Sequence, residues 1–172
     1  MRERPNYESL QFSSFETSRL SLEPVSTDDS EFIFELTNTD GWIRFIGDRG
    51  IHSLASAADY IQKLLENPAM NYWVVKIKAD QTKIGIVTYI KKEYLVHPDI
   101  GFALLPAYEG SGFAYEASGM LLKEVQRSGS PVWATTVPEN TRSIQLLKKL
   151  GMHFEKELAV EGEILHVYAL EP

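Results

Sequence analysis

DIGFALLPAYEGSGFAYEA, Asp99 to Ala117, decides the fold. DIGFALL reads as a continuous apolar strand, and therefore a central one. Pro106 stiffens the connection, Gly110 and Gly112 form a turn, and a helix starts at once. Ala114, Ala117, Leu121 and Val125 lie on one face of that helix, which packs it against a sheet. The N–H groups of the turn and of the first helical turn have no partners inside the helix. They carry roughly half a positive charge between them and suit a phosphate group. A phosphorylated cofactor would sit here. Two glycines one residue apart also fit an ordinary turn; the strand before and the helix after favour phosphate. No G-x-x-x-x-G-K-[ST] and no G-x-G-x-x-G occurs, so a P-loop and a dinucleotide fold are set aside.

Upstream, Arg19 to Val25 alternates like a strand, and Thr27-Asp28-Asp29 offers a cap for the short helix EFIFELT. Asp40 to Ile51, with three glycines and two arginines, reads as a loop. Ser53 or Ser56 caps a helix bearing Ala57, Tyr60, Ile61, Leu64 and Leu65, ended by Asn67-Pro68. Tyr72 to Lys78 and Lys83 to Lys92 flank a polar turn and predict a hairpin. Downstream, Pro131 to Val137 is another central strand, and Glu139 to Leu150 is a helix closed by Gly151. A last hairpin, Phe154 to Val160 and Glu163 to Leu170, turns at Glu161-Gly162. The strand–helix–strand unit from Asp99 to Val137 requires parallel strands; the remaining neighbours should be antiparallel. The class is mixed α+β, one mostly antiparallel sheet with helices on both faces.

The 172 residues suit one compact domain, residues 17–172, after a polar segment, residues 1–16, expected to be flexible. Hydrophobic residues make up 44%, enough for a sizeable core. A net charge of −7 argues against nucleic acid and anionic membranes as partners. There is no cysteine, which excludes disulfides, thiolate metal sites and cysteine nucleophiles. No metal-ligand spacing such as H-E-x-x-H occurs, so no metal is expected. The chain has no apolar run long enough to span a membrane and no secretory h-region, so the expected location is cytoplasmic.

The segment A-L-L-P-A-Y-E-G-S-G-F-A, followed by E-A, resembles motif A of the GNAT acetyltransferase superfamily, whose turn reads Q/R-x-x-G-x-G/A. N-T-R-S-I-Q-L-L-K-K-L-G-M, Asn140 to Met152, resembles that superfamily's motif B, N-x-x-S…K-L-G-F. The pattern is most similar to the RimJ/RimL type, which acetylates N-termini of ribosomal proteins, and S-R-L-S-L resembles its first strand. The similarity runs from about Thr17 to Leu170.

The resemblance implies a splayed parallel strand pair whose gap takes acetyl-CoA. Phe102, Ala103 and Leu104 would bond the pantetheine arm through their main chain. An N–H of Leu104 or Leu105 would polarise the thioester carbonyl. The N–H groups of Glu109, Gly110, Ser111, Gly112, Phe113 and Ala114 would surround the pyrophosphate. Asn140 would bond pantetheine, and also fits a helix N-cap. Ser143 would lie near the thiol sulfur and assist the leaving thiolate, or be simply a solvated helix residue. Glu109 brings an acidic side chain where the family favours Gln or Arg, and is expected to point to solvent. The family's acid Tyr position holds Leu147 and its Glu base position holds Thr135. That leaves Asp99, His97, Glu161 and Glu163 as candidate bases, with His153 and His166 expected to be structural. Trp42 and Arg44, with Phe45, Asp48 and Arg49, would wall the acceptor side, unless Trp42 and Phe45 only cover the core. The implied activity is direct acetyl transfer to a primary amine, a peptide N-terminus or a small molecule, by a monomer or homodimer. The competing reading is a non-catalytic acyl-CoA-binding module.

Overall fold

The computed structural model describes residues 10–172. Residues 1–9, the larger part of the segment expected to be flexible, lie outside the described residues. The remainder of that segment is tied to the sheet. Leu10 is buried, Ser13 accepts a 2.8 Å bond from the Trp73 indole, and Phe15–Glu16 forms strand β1.

The other strands are β2 (Leu20–Pro24), β3 (Met70–Ile77), β4 (Lys83–Ile90), β5 (Asp99–Leu104), β6 (Val132–Thr136), β7 (His153–Val160) and β8 (Glu163–Leu170). The helices are α1 (Ser30–Thr37), α2 (Asp40–Phe45), α3 (Leu54–Leu65), α4 (Phe113–Val125) and α5 (Thr141–Lys149). Among the described residues the eight strands form one sheet in the order β1-β2-β3-β4-β5-β6-β8-β7. Among them the one parallel pair is β5–β6, joined through α4.

Strand periodicity sorts the helices onto two faces. On β3, Trp73 and Val75 pack with Leu121 of α4 and Leu147 of α5. Val74, between them, packs with Phe32 and Leu36 of α1, Trp42 of α2 and Ile61 of α3. The helix α2 corrects the loop expected from Asp40 to Ile51. Thr39 Oγ1 accepts the Trp42 N–H and caps the helix, while burial of Trp42 supplies the apolar anchor that offsets Gly41. Ser53 is the cap of α3, and Ser56 returns the bond to it.

The parallel pair separates almost as soon as it forms. Its register contains a single pair, Asp99 opposite Trp133. Trp133 N–H donates to the Pro98 carbonyl at 2.9 Å. Two residues on, a continued ladder would send the Thr135 N–H to a β5 carbonyl. It goes instead to the Asp99 carboxylate, at 2.8 Å. Thr135 Oγ1 binds the same oxygen at 2.7 Å, and Lys92 Nζ holds the other at 3.2 Å. With its N–H spent on a side chain, β6 has nothing to give β5 beyond this point. That explains why Phe102, Ala103 and Leu104, in a central strand, are only half-buried.

Replacing Asp99 with Ala should strand Lys92 and the Thr135 N–H beside an apolar void, at a cost of about 3 kcal/mol. Asp99→Asn, which keeps one acceptor oxygen, should recover part of that. Urea midpoints of the two variants check the order; an unshifted midpoint for Asp99→Ala would show that the carboxylate does not hold the split.

Candidate active site

The turn before α4 is built by conformation. Gly110 and Gly112 both have φ of +80°, a region that costs an L-residue roughly 1–2 kcal/mol. Gly112 is the N-cap of α4, and its carbonyl accepts the Glu116 N–H at 3.0 Å. The turn is exposed at Glu109 to Gly112. The Glu109 N–H is taken by the Pro106 carbonyl at 3.3 Å, which removes it from the expected set of phosphate donors. Among the described residues no acceptor takes the N–H of Gly110, Gly112, Phe113 or Ala114. A Cβ at Gly110 would project into open space. Free donors around an open, side-chain-free cradle fit a diphosphate.

The motif spacing Q/R-x-x-G-x-G/A sets Ala107 at its first position, with Glu109 directly before the glycine. Glu109 does not point freely to solvent: its carboxylate pairs with Arg142 of α5 at 2.7 Å. That bond cancels an anion that would otherwise oppose phosphate.

Main-chain direction along β5 selects which amides face the gap. Leu105 N–H donates to the Ile84 carbonyl at 2.8 Å, so Leu105 and Ala103 turn toward β4. The Pro98 carbonyl faces β6, and by alternation so do the main-chain groups of Phe102 and Leu104. Of the two N–H groups expected to polarise a thioester, Leu105 is therefore already engaged and Leu104 faces the gap. Across it, Asn140 caps α5, its Oδ1 accepting the Ser143 N–H at 3.2 Å. Ser143 is half-buried in the first turn of α5. Leu147 is a core residue, 1% exposed.

On the face covered by α1, α2 and α3 the side chains around the split are polar. Burial pushes the Asp99 carboxyl above the ordinary aspartate range, although Lys92 and Thr135 pull the other way. Asp99 is 3% exposed and its two oxygens are bonded to Lys92 and Thr135, which answers the expected base role with a structural one. Tyr72, opposite Thr88, which in turn opposes Gly101, shares this face with Asp99. Its hydroxyl lies 3.4 Å from that of Tyr60. Burial first, then Tyr60, raises the Tyr72 pKa, and Arg49 opposes the rise. Tyr72 is thus a neutral hydroxyl donor.

Of the expected acceptor wall, Trp42 is 5% exposed and belongs to the core with Val74, Ile86 and Leu105. Arg44 lies over the Phe45 ring at 4.8 Å on the outer side of α2. Glu161 sits at the exposed tip of the β7–β8 hairpin with φ of +49°. That hairpin overhangs the C-terminal end of β6, since β6 pairs only as far as His166 of β8. His97 stacks edge-on against Trp133 at 5.1 Å; His153 and His166 approach Glu155 and Glu157. Lys92, Arg142, Tyr60 and Tyr72 were not singled out by sequence as site residues. Lys92 and Arg142 are ordinary surface cations by pattern, and the tyrosines read as core.

Residues 19–153 match the family profile described as an acetyltransferase (GNAT) domain. An uncharacterised N-acetyltransferase of Bacillus subtilis, YnaD, is 25% identical over 141 residues, 81% of this chain and 82% of that protein. The fold matches a GNAT-family acetyltransferase from Bacillus anthracis with a TM-score of 0.78 and 22% identity, covering 92% of this chain and 98% of that one. It also matches RimL, a ribosomal L7/L12 α-N-protein acetyltransferase solved with coenzyme A, at a TM-score of 0.78 and 12% identity over 92% and 98% of the two chains. Among the described residues no helix is long and apolar enough to cross a membrane. The interrupted parallel pair, the open glycine turn and the matched profile agree: the chain belongs to the GNAT family and is an acetyl-CoA-dependent acetyltransferase.

Proposed function

We propose that the protein transfers acetyl from acetyl-CoA to a primary amine by direct attack, with no covalent enzyme intermediate, and that its acceptor is an α-amine such as a peptide N-terminus. The observation that carries this is the gap between β5 and β6, with the free N–H groups of the Gly110–Ala114 turn at its mouth. In this reading the thioester supplies the activated acetyl group. The N–H groups of Gly110 to Ala114 hold the pyrophosphate, and the main chain of Phe102 and Leu104 aligns the pantetheine arm. Leu104 N–H stabilises the developing oxyanion as a fixed dipole. Ser143 and the amide nitrogen of Asn140 serve the pantetheine end, Ser143 toward the leaving thiolate.

The acceptor class follows from proton bookkeeping. A lysine amine has a pKa near about 10.4 and an α-amine near about 7.7–8.0. Asp99 is bonded on both oxygens, and Leu147 and Thr135 stand where an acid and a base would be expected. A site with so little base strength suits an amine that is already partly neutral. Glu161, on the overhanging hairpin, is the carboxylate available to relay the last proton through water. Likeness to RimL favours a protein N-terminus over a small amine.

A thiol-release assay tests this cleanly, because the chain has no cysteine to add background. With acetyl-CoA, peptides bearing free N-termini should release CoA faster than N-blocked lysine peptides or polyamines. Preference for a small amine would overturn the acceptor class. Tight CoA binding without acceptor-dependent release would mean a non-catalytic acyl-CoA-binding module. A Gly112→Trp variant should lose CoA binding by calorimetry while keeping its far-UV circular dichroism; retained affinity would move the pyrophosphate elsewhere.

A further inference from the structure

Arg19 stands just before β2 in sequence, yet its side chain reaches the turn 92 positions away. Both terminal nitrogens donate to the Ser111 carbonyl, each at 3.2 Å. Nε donates to Glu116 Oε2 at 2.7 Å, and the guanidinium carbon lies 4.4 Å from the centre of the Phe113 ring. Glu116 is held in turn by Thr17 Oγ1 at 2.5 Å and by the Arg19 N–H at 3.0 Å. Burial works to raise the Glu116 pKa, but the bonds from Thr17 and Arg19 outweigh it and keep the carboxyl below the usual glutamate range. The Arg19 main chain is itself anchored, its carbonyl accepting the Lys78 N–H at 2.9 Å.

These contacts converge on one peptide plane. In a trans peptide the C=O and the N–H point in opposite directions. A guanidinium that draws the Ser111 carbonyl toward β2 therefore turns the Gly112 N–H away from β2, toward the open side of the turn. A cation on the carbonyl also polarises the peptide and strengthens its N–H as a donor. Gly112 has φ of +80°, a conformation with no side chain of its own to hold it.

We propose that Arg19 is a positioning residue of the cofactor site. It orients and polarises the Ser111–Gly112 peptide for a diphosphate, with Glu116 and Phe113 fixing the guanidinium. The inference rests on the reading of this turn as the pyrophosphate site. It accounts for why an arginine is required: one planar fork serves a carboxylate and a carbonyl at once.

Two acyl donors separate this role from a general structural one. Acetyl-CoA carries the diphosphate; S-acetylpantetheine carries the same thioester without it. Arg19→Ala should raise the KM for acetyl-CoA and the calorimetric Kd for CoA about tenfold. It should leave kcat with acetyl-CoA, the acceptor KM and kcat/KM with S-acetylpantetheine within about twofold. Arg19→Lys, which can serve one acceptor but not both, should fall between. Equal losses with both donors, or unchanged CoA affinity in a folded Arg19→Ala variant, would overturn the proposal. Tight CoA binding by the wild type with no turnover would sink the acetyl-transfer reading alone, leaving Arg19 to be judged by CoA affinity.

Discussion

The architecture turns on where one amide proton goes. Thr135 N–H, bonded to the Asp99 carboxylate rather than to the main chain of β5, ends the parallel ladder after a single register pair. An unpaired central strand is costly in a closed core because its polar groups need partners. It is tolerable only where water or a ligand reaches it. The main-chain groups of Phe102 and Leu104, which face away from β4, are such a row, and they run from the split toward the glycine turn. A buried carboxylate is expensive too; Lys92 and two Thr135 donors offset that cost at this one place. Selection of an aspartate at the head of an otherwise apolar strand is thus explained by the gap it opens.

The second half of the site is electrostatic, within a chain of net charge −7. A tri-phosphorylated ligand approaching so acidic a protein meets an unfavourable field unless the turn is locally positive. The amino end of α4 supplies that, while Arg142 neutralises Glu109 and Arg19 neutralises Glu116, so neither carboxylate opposes the ligand. The long range of Arg19 in sequence has a structural cause. Arg19 leads into β2, separated from β5 by β3 and β4, and α4 lies across that face of the sheet with Glu116 of its first turn bonded to Thr17 and Arg19.

Much of this was legible in the sequence. The alternation of β2, the polar turn between β3 and β4, the apolar run of β5 and the pattern of α4 pointed to the mixed sheet, because these signals are local. The turn was legible because only glycine takes φ of +80° without strain. Helix α2 was not, since Gly41, Gly47 and Gly50 read as breakers, while its stability comes from the Thr39 cap and tertiary burial of Trp42. Asp99 was singled out for its charge, but its partners Lys92 and Thr135 belong to other strands or their ends, and no local spacing reveals them. The same holds for Arg19: the S-R-L-S-L pattern marked a first strand, and its contact with Ser111 exists only once α4 has folded over the sheet.

Physical constraint carries the acceptor argument further than resemblance does. General bases near neutrality arise where a carboxyl is buried yet able to reach the proton it takes. Asp99 meets the first condition and fails the second, for its oxygens already serve the strand split. Freeing it to act as a base would remove the acceptor that diverts the Thr135 N–H from β5, so the two roles conflict. Tyr72, kept neutral by burial and by Tyr60, can orient an acceptor by donating a hydrogen bond but cannot take up a proton. In the proposed reading the last proton leaves through water, by way of Glu161, and the rate then depends on how much of the amine is neutral before it binds. That fraction is about 200- to 400-fold larger for an α-amine than for a lysine side chain near pH 7, by their ordinary pKa values, which is why the proposed acceptor is a chain terminus rather than a lysine.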